Sequence, residues 1–110
     1  MNQEIKEYIL KYPKEIIELF NVLHTLINNC MEVEVIEKKW AKLPSYCVND
    51  SFIRLIPFKD HINIEAKAII NYQKELSNYK ITPKGMLQLF INQEVPCDIL
   101  KKVFTDTLKN

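Results

Sequence analysis

Arg54-Leu-Ile-Pro-Phe-Lys-Asp-His-Ile-Asn-Ile-Glu65 is the stretch that decides the fold. Two apolar-rich runs flank Lys59 and Asp60, so the stretch is typical of two antiparallel strands joined by a tight turn. Upstream, residues 43–48 and 52–58 flank an Asn-Asp pair, and these two residue types tolerate the left-handed backbone of tight turns. Three consecutive antiparallel strands are therefore predicted in the middle of the chain.

Helices are predicted on both sides of these strands. Apolar residues recur at helical spacing over residues 2–11, and Pro13 separates them from a continuous apolar stripe that runs from Ile16 to Cys30. Near the carboxyl end, Pro96 is placed to open a last helix, since proline suits the first helical turn. The chain is predicted to begin with two helices and to end with one.

The remaining segments complete the predicted architecture. Residues 66–78 are rich in helix formers and are predicted as a helix, while residues 86–91 have the apolar density of a covered strand. Residues 32–38 alternate like a strand but also fit a frayed helical turn, so both stay open. The predicted fold is one α+β domain over residues 1–110, in the order α-α-β-β-β-α-β-α. Its mostly antiparallel four-stranded sheet carries helices on one face.

Length and composition exclude several classes of protein. A chain of 110 residues, of which 47% are hydrophobic and 26% charged, can bury one core. No uninterrupted apolar run is long enough for a secretory signal or a membrane span, so we expect a cytoplasmic protein with no membrane partner. Three widely spaced cysteines, Cys30, Cys47 and Cys97, suit reduced thiols better than disulfides or structural zinc.

Charge is divided unevenly along the chain. Residues 1–37 have a net charge of −4, whereas residues 38–110 have a net charge of +5. The acidic part contains three carboxylate pairs at i, i+3 spacing, which share one face when they lie on a helix: Glu4 with Glu7, Glu15 with Glu18, and Glu34 with Glu37. Exposed carboxylate pairs attract hard cations but bind them weakly, so a loose cation site and an ordinary solvated surface both stay open.

The predicted strand at residues 61–65 has one polar face. His61, Asn63 and Glu65 occupy alternate positions, so their side chains lie on the same side of the sheet. A histidine with a glutamate suits iron or zinc, but the solvent side of a half-buried strand has the same pattern, and both interpretations stay open. A polar face of this kind, or an unpaired edge strand, must be hydrated or covered, which makes a homodimer possible.

A basic cluster surrounds the single tryptophan. Lys38, Lys39 and Lys42 flank Trp40, which could stack on a base while the lysines contact phosphates. The sequence pI of about 7.7 and the absence of a recognised binding module argue against this interpretation. Nucleic acid is therefore not an expected partner.

Enzymatic chemistry has little support in the sequence. Cys47 and His61 could meet across the sheet as a thiolate and imidazole pair. Nothing in the sequence orients the histidine or supplies an oxyanion site, so the chain is not predicted to be an enzyme.

Several short motifs are spread from about Glu4 to Leu108: Tyr12-Pro13, Trp40 with Pro44 and Tyr46, Phe58 to Ile62, Lys80 to Gly85 leading into Leu87 to Phe90, and Val95-Pro96. Together they resemble the motifs of the YdhG-like family of small bacterial proteins. Some members are described as frataxin-like intracellular iron chaperones. The resemblance therefore implies a non-enzymatic carrier that binds ferrous iron weakly and delivers it to a recipient protein in iron–sulfur or haem synthesis. Frataxins have an acidic first helix, so Glu4, Glu7, Glu15 and Glu18 are the candidate metal ligands.

A second hypothesis uses the residues that carry the resemblance themselves. They are Trp40, Pro44, Tyr46, Lys59, His61, Lys80, Lys84 and Gly85. If the strand segments converge, these residues would form an aromatic and basic concavity suited to a small anion or a partner protein, without metal. Roles in turns and in the core would select the same residue types, so this alternative also stays open.

Overall fold

The computed structural model describes residues 1–109, which form three α-helices, one 3₁₀ helix and six strands. The helices are α1 (Gln3–Ile9), α2 (Lys14–Asn29) and α3 (Cys97–Leu108), and the 3₁₀ helix is Lys67–Tyr72. The strands are β1 (Ile36–Trp40), β2 (Leu43–Val48), β3 (Ser51–Pro57), β4 (His61–Ala66), β5 (Lys80–Ile81) and β6 (Leu87–Phe90). Within residues 1–109, no helix is both long enough and apolar enough to cross a membrane.

The six strands form one antiparallel sheet in the order β1-β2-β3-β4-β6-β5. The α+β class and the antiparallel sheet are confirmed, but the predicted count of four strands is wrong. Residues 32–38, left open in the sequence, contribute to β1, which pairs with β2 through Lys38 and Ser45. The other additional strand, β5, is two residues long and is too short for alternation to be detected.

The helix predicted over residues 66–78 is confirmed only over residues 67–72, and as a 3₁₀ helix rather than an α-helix. The chain forms the 3₁₀ helix Lys67–Tyr72 and then continues as turns. The hydroxyl of Thr107 in α3 accepts the backbone N–H of Ala68 at 3.1 Å, which fixes the start of the 3₁₀ helix against α3. Ile69 and Ile70 are β-branched and therefore have a low propensity to continue a helix. Leu76, in the turns that follow, is fully buried and packs in the core.

The two predicted amino-terminal helices are present, and local contacts explain their boundaries. The side chain of Asn2 caps α1 by accepting the N–H groups of Glu4 at 2.8 Å and Ile5 at 3.3 Å. Pro13 directly precedes α2, where its missing N–H removes no helical hydrogen bond. Both helices therefore begin at residues that suit a helix start.

One apolar core lies between the helices and one face of the sheet. The helices α2 and α3 contact the central strands β3 and β4. The sheet residues beneath them are fully buried: Ile53, Leu55, Ile62, Ile64, Leu87 and Leu89. Because side chains alternate along a strand, the residues between them lie on the other side of the sheet, away from these helices.

Candidate functional site

The side of the sheet opposite the core carries aromatic, basic and amide side chains. Strand register aligns Lys38, Ser45, Arg54 and Glu65 in one row across four strands. We call this side the open face, and its members are Ile36, Lys38, Trp40, Leu43, Ser45, Cys47, Phe52, Arg54, Ile56, His61, Asn63, Glu65, Lys80, Gln88 and Phe90, with Phe58 just after β3. Most of these side chains are exposed or half-buried, so they are accessible to a ligand.

A tryptophan cluster, Trp40 with Phe52 and Arg54, lies at the β1 side of the open face. The guanidinium carbon of Arg54 is 4.6 Å from the ring centroid of Trp40 and 5.0 Å from that of Phe52. The two rings meet edge to face at 5.6 Å and 84°. Such cation–π contacts, and the Arg54–Glu65 ion pair at 3.5 Å, hold the guanidinium beside the rings. Trp40 nevertheless remains 47% exposed.

A histidine cluster, Phe58 with His61 and Phe90, lies at the other end of the open face. The ring of His61 is stacked on Phe58 with centroids 4.5 Å apart and planes 9° apart, and it contacts Phe90 at 4.7 Å and 30°. Nδ1 of His61 lies 2.7 Å from an oxygen of Asp60. The imidazole is thus held between two phenylalanines, and Phe58 is still 43% exposed.

Two polar atoms of the open face lack hydrogen-bond partners. Among residues 1–109, the buried side-chain nitrogens and oxygens without a partner are Nε of Arg54 and Oδ1 of Asn63. Leaving such a group unpaired costs about 1–3 kcal/mol, so each one needs an explanation. One atom is a donor and the other an acceptor, and both lie on the open face, opposite the apolar core.

The structure separates the eight residues of the aromatic and basic hypothesis into three groups. Trp40, His61 and Lys80 lie on the open face, and Lys59 lies in the exposed turn beside it. Pro44 and Tyr46 lie on the core side and are buried, so they do not join a shared concavity with Trp40. Lys84 and Gly85 form a separate group in the turn before β6.

That turn forms one wall of a groove of about 730 Å³. Its lining includes Phe52, Glu65, Ala66, Ile70, Lys84 and Met86. Gly85 has a φ of +89°, and a Cβ placed there would meet no atom within 4 Å, so the groove is open at this point. Because Phe52 and Glu65 also belong to the open face, the groove adjoins the tryptophan cluster.

Tyr46 belongs to a polar network under the helices. Its hydroxyl lies 3.0 Å from Nδ1 of His24, whose Nε2 lies 3.7 Å from a carboxylate oxygen of Glu37. The other Glu37 oxygen accepts the backbone N–H of Asn2 at 2.7 Å. Burial raises the pKa of Tyr46, and the Glu37 carboxylate raises that pKa further. Burial also lowers the pKa of His24. These contacts tie α1 and α2 to the sheet, which is a structural role.

The candidate iron ligands are all exposed. Glu4 and Glu7 lie on α1, and Glu15 and Glu18 lie at the beginning of α2. Glu7 accepts a hydrogen bond from the side-chain amide of Gln3 at 3.3 Å. In the part of the chain that the structure describes, no three His, Cys, Asp or Glu side chains are grouped so that they could hold a metal ion.

Cys47 and His61 do not meet. Cys47 is opposite Phe52 in the sheet, whereas His61 is adjacent to Phe58. Phe52 and Phe58 are six residues apart along an extended strand, which corresponds to about 20 Å. A thiolate and imidazole pair is therefore not formed in this structure.

Sequence reasoning did not identify Phe52, Arg54, Phe58 and Phe90 as site residues. The alternation of residues 51–57 places Phe52 and Arg54 on one face, and this signal was present in the sequence. The convergence of Arg54 with Trp40 depends on the pairing of β1 with β2, which the sequence left open.

Comparison of the chain with protein-family models, with curated proteins and with solved structures finds no match. Membership of the YdhG-like family and the iron-chaperone activity that it implies therefore stay hypotheses. The functional interpretation depends on the geometry of the site.

Proposed function

We propose that the chain is a non-enzymatic binding module whose open face holds an anionic ligand with a planar ring system. The observation that carries this proposal is the tryptophan cluster, in which a guanidinium and two aromatic rings lie together at an accessible surface. Exposed aromatic faces stack on planar ligands, and arginine contributes both charge and a flat surface.

The charges of the open face favour a negatively charged ligand. Lys38, Lys59 and Lys80 are exposed on this face or in the turn beside it. The acidic groups of the same surface are fewer: Glu65 pairs with Arg54, and Asp60, which is exposed, contacts His61. The lysines therefore provide a positive field around the aromatic rings.

Calorimetric titration with adenosine 5′-monophosphate tests this proposal, because this probe has one flat base and one phosphate. We expect it to bind more tightly than adenosine or inorganic phosphate alone. Trp40→Ala should weaken binding about fivefold or more, since stacking on a base contributes about 1–3 kcal/mol. Leu10→Ala is the control, because Leu10 is exposed and lies just after α1. Equal affinity of the Trp40→Ala variant, or no binding at millimolar probe, would contradict the proposal.

Ferrous-iron delivery is the second candidate function. The observation that favours it is the exposure of the paired carboxylates on α1 and α2, which suits loose coordination by oxygen and easy release to a recipient protein. The resemblance to frataxin-like proteins is the reason for choosing ferrous iron as the metal.

Anaerobic calorimetry with ferrous iron, with magnesium as the control ion, tests this second candidate. We expect iron-selective binding that is lost when Glu4, Glu7, Glu15 and Glu18 are all changed to glutamine. A control variant carries Glu75→Gln and Glu94→Gln, which remove two exposed carboxylates elsewhere. An unchanged iron affinity in the fourfold variant, or no binding beyond that of magnesium, would exclude these helices as the site.

A further inference from the structure

We infer that the ligand of the open face is a single strand of nucleic acid that contacts both aromatic clusters; this inference rests on the proposed function of the same face. One small ring system can occupy the tryptophan cluster. The second cluster, of Phe58, His61 and Phe90, then lacks a ligand unless the occupant extends across the sheet.

The separation of the clusters requires an extended ligand. Phe52 and Phe58 lie six residues apart, and the ladder continues to Phe58, whose N–H donates to the carbonyl oxygen of His61 at 2.8 Å. At about 3.4 Å per residue, the backbones of these two residues are about 20 Å apart. A mononucleotide cannot cover this distance, whereas a strand of several nucleotides can stack a base on each cluster.

The surface between the clusters offers apolar contact and hydrogen bonds. Leu43 and Ile56 are half-buried there, and Asn63 lies between Ile56 and Gln88 in adjacent strands. Asn63 is 8% exposed, and its Oδ1 has no hydrogen-bond partner. Nε of Arg54 also has no hydrogen-bond partner. Base edges present both donors and acceptors, so small side-chain movements would let a bound base pair with these atoms.

The two sides of the molecule also differ in charge, and the basic side is the one on which a polyanion would bind. Lys38 lies on the edge strand β1 and Lys80 on the opposite edge strand β5. Exposed glutamates are concentrated on α1 and α2, which pack on the core side of the sheet. A nucleic-acid strand that crosses the sheet would therefore contact lysines at both edges, with the acidic helices on the opposite side of the sheet. This separation of charge reconciles a pI of about 7.7 with the binding of phosphates.

A single strand fits better than a duplex. Stacking on Trp40 or Phe58 requires an exposed base face, and the bases of a duplex present only their edges. The stacking platform has no sequence preference of its own, because every base has a flat face.

The test is a length series of unpaired oligonucleotides. We would measure the anisotropy of end-labelled U10 and T10 with the full chain, using unlabelled three-nucleotide strands and adenosine 5′-monophosphate as competitors. We expect ten nucleotides to bind at least tenfold more tightly than three. Trp40→Ala and Phe58→Ala should each weaken ten-nucleotide binding about fivefold or more. Leu10→Ala should leave it unchanged.

Salt dependence gives a second readout that a purely structural role would not change. For a single strand, log K falls with log salt by about 0.7 per phosphate contact. Lys38→Ala and Lys80→Ala should each reduce the slope by about that amount. Lys14→Ala, an exposed lysine at the start of α2, is the matched control and should leave the slope unchanged.

The outcomes separate this inference from the proposed function. In one outcome, adenosine 5′-monophosphate binds, Trp40→Ala abolishes that binding, longer oligonucleotides bind no more tightly and Phe58→Ala leaves their affinity unchanged. This outcome overturns the inference of a nucleic-acid strand, and the small-ligand proposal stands. If neither probe binds, both are overturned. A stable dimer in light scattering that Trp40→Ala dissociates, without oligonucleotide binding, would assign the face to a second copy and also overturn the inference. Circular dichroism confirms that each variant is folded.

Discussion

The hydroxyl of Tyr46 lies 3.0 Å from Nδ1 of His24, directly beneath the helices. This contact joins β2 to α2, and Glu37 extends it to the start of α1. The aromatic residue that follows Trp40 in the same motif is therefore committed to the core side of the sheet.

Tyr46→Phe should lower the free energy of unfolding. The substitution removes the hydroxyl and leaves Nδ1 of His24 with only the longer 3.5 Å contact to the side-chain amide of Asn28. We expect a cost of about 1 kcal/mol, typical of one lost hydrogen bond in a half-buried site. Urea denaturation measures the change. Tyr79→Phe is the control: its hydroxyl donates to the carbonyl oxygen of Glu94 in an exposed position, where water can replace it. Equal losses in the two variants would contradict a special role for the Tyr46–His24 contact.

Stability should fall as the pH is lowered through the range in which His24 titrates. Burial lowers the pKa of His24 below the ordinary value of 6.5; the Glu37 carboxylate opposes this shift, and the terminal amino group adds to it. The unfolded chain then binds more protons than the folded chain, so the stability present above about pH 6.5 is lost as the pH falls towards the folded pKa.

Urea midpoints between pH 7.5 and 5.5 check this prediction. His24→Gln should give a shallower decline than the unchanged chain, because it removes this histidine while retaining His61 and the carboxylates. Parallel pH profiles for the two proteins would show that His24 does not contribute.

Two identical substitutions of leucine should differ strongly in their effects. Leu100 in α3 is fully buried, so Leu100→Ala should cost about 2–5 kcal/mol through lost burial and the cavity left behind. Leu10 is 61% exposed, and Leu10→Ala should change stability by less than about 0.5 kcal/mol. Denaturant unfolding of both variants gives the comparison. Similar values would mean that α3 does not pack on the core as the structure shows.

Gly85→Ala should destabilise the turn before β6 through its backbone alone. The φ of +89° is unfavourable for a residue with a Cβ, while the site has free space around it. We expect a loss of about 1 kcal/mol. Gly85→Asn should cost less, since asparagine visits left-handed conformations more readily. A thermal or urea midpoint unchanged by alanine would indicate that the turn relaxes to another conformation.

The central hairpins could be predicted because each strand has an alternating pattern and each turn a recognisable polar pair. The edge strand β1 stayed open between strand and helical turn, since the alternation of residues 32–38 does not continue through Ile36–Trp40, whose side chains are exposed or half-buried on both faces. Its position depends on pairing with β2. The segment after β4 has the composition of a helix, but its contact with Thr107 in α3, distant in sequence, selects a short 3₁₀ helix instead.

The site depended on a detail that the sequence does not signal. Ala41 and Lys42 form a two-residue turn with φ values of +54° and +67°, which pairs Trp40 with Leu43. This turn determines which side chains of β2 face outward, and it places Tyr46 on the side opposite Trp40. Ala-Lys is not a typical sequence for such a turn, so the sequence left open whether Tyr46 shares a concavity with Trp40 or lies in the core.

The exposure of Trp40 has an optical consequence. It is the chain's one tryptophan, and it lies on the open face with 47% of its surface in contact with solvent. Intrinsic tryptophan emission should therefore be quenched by acrylamide in the native protein and should shift little in wavelength when the core unfolds. Emission then reports on occupancy of this surface, while loss of the fold must be followed by backbone circular dichroism or tyrosine absorbance.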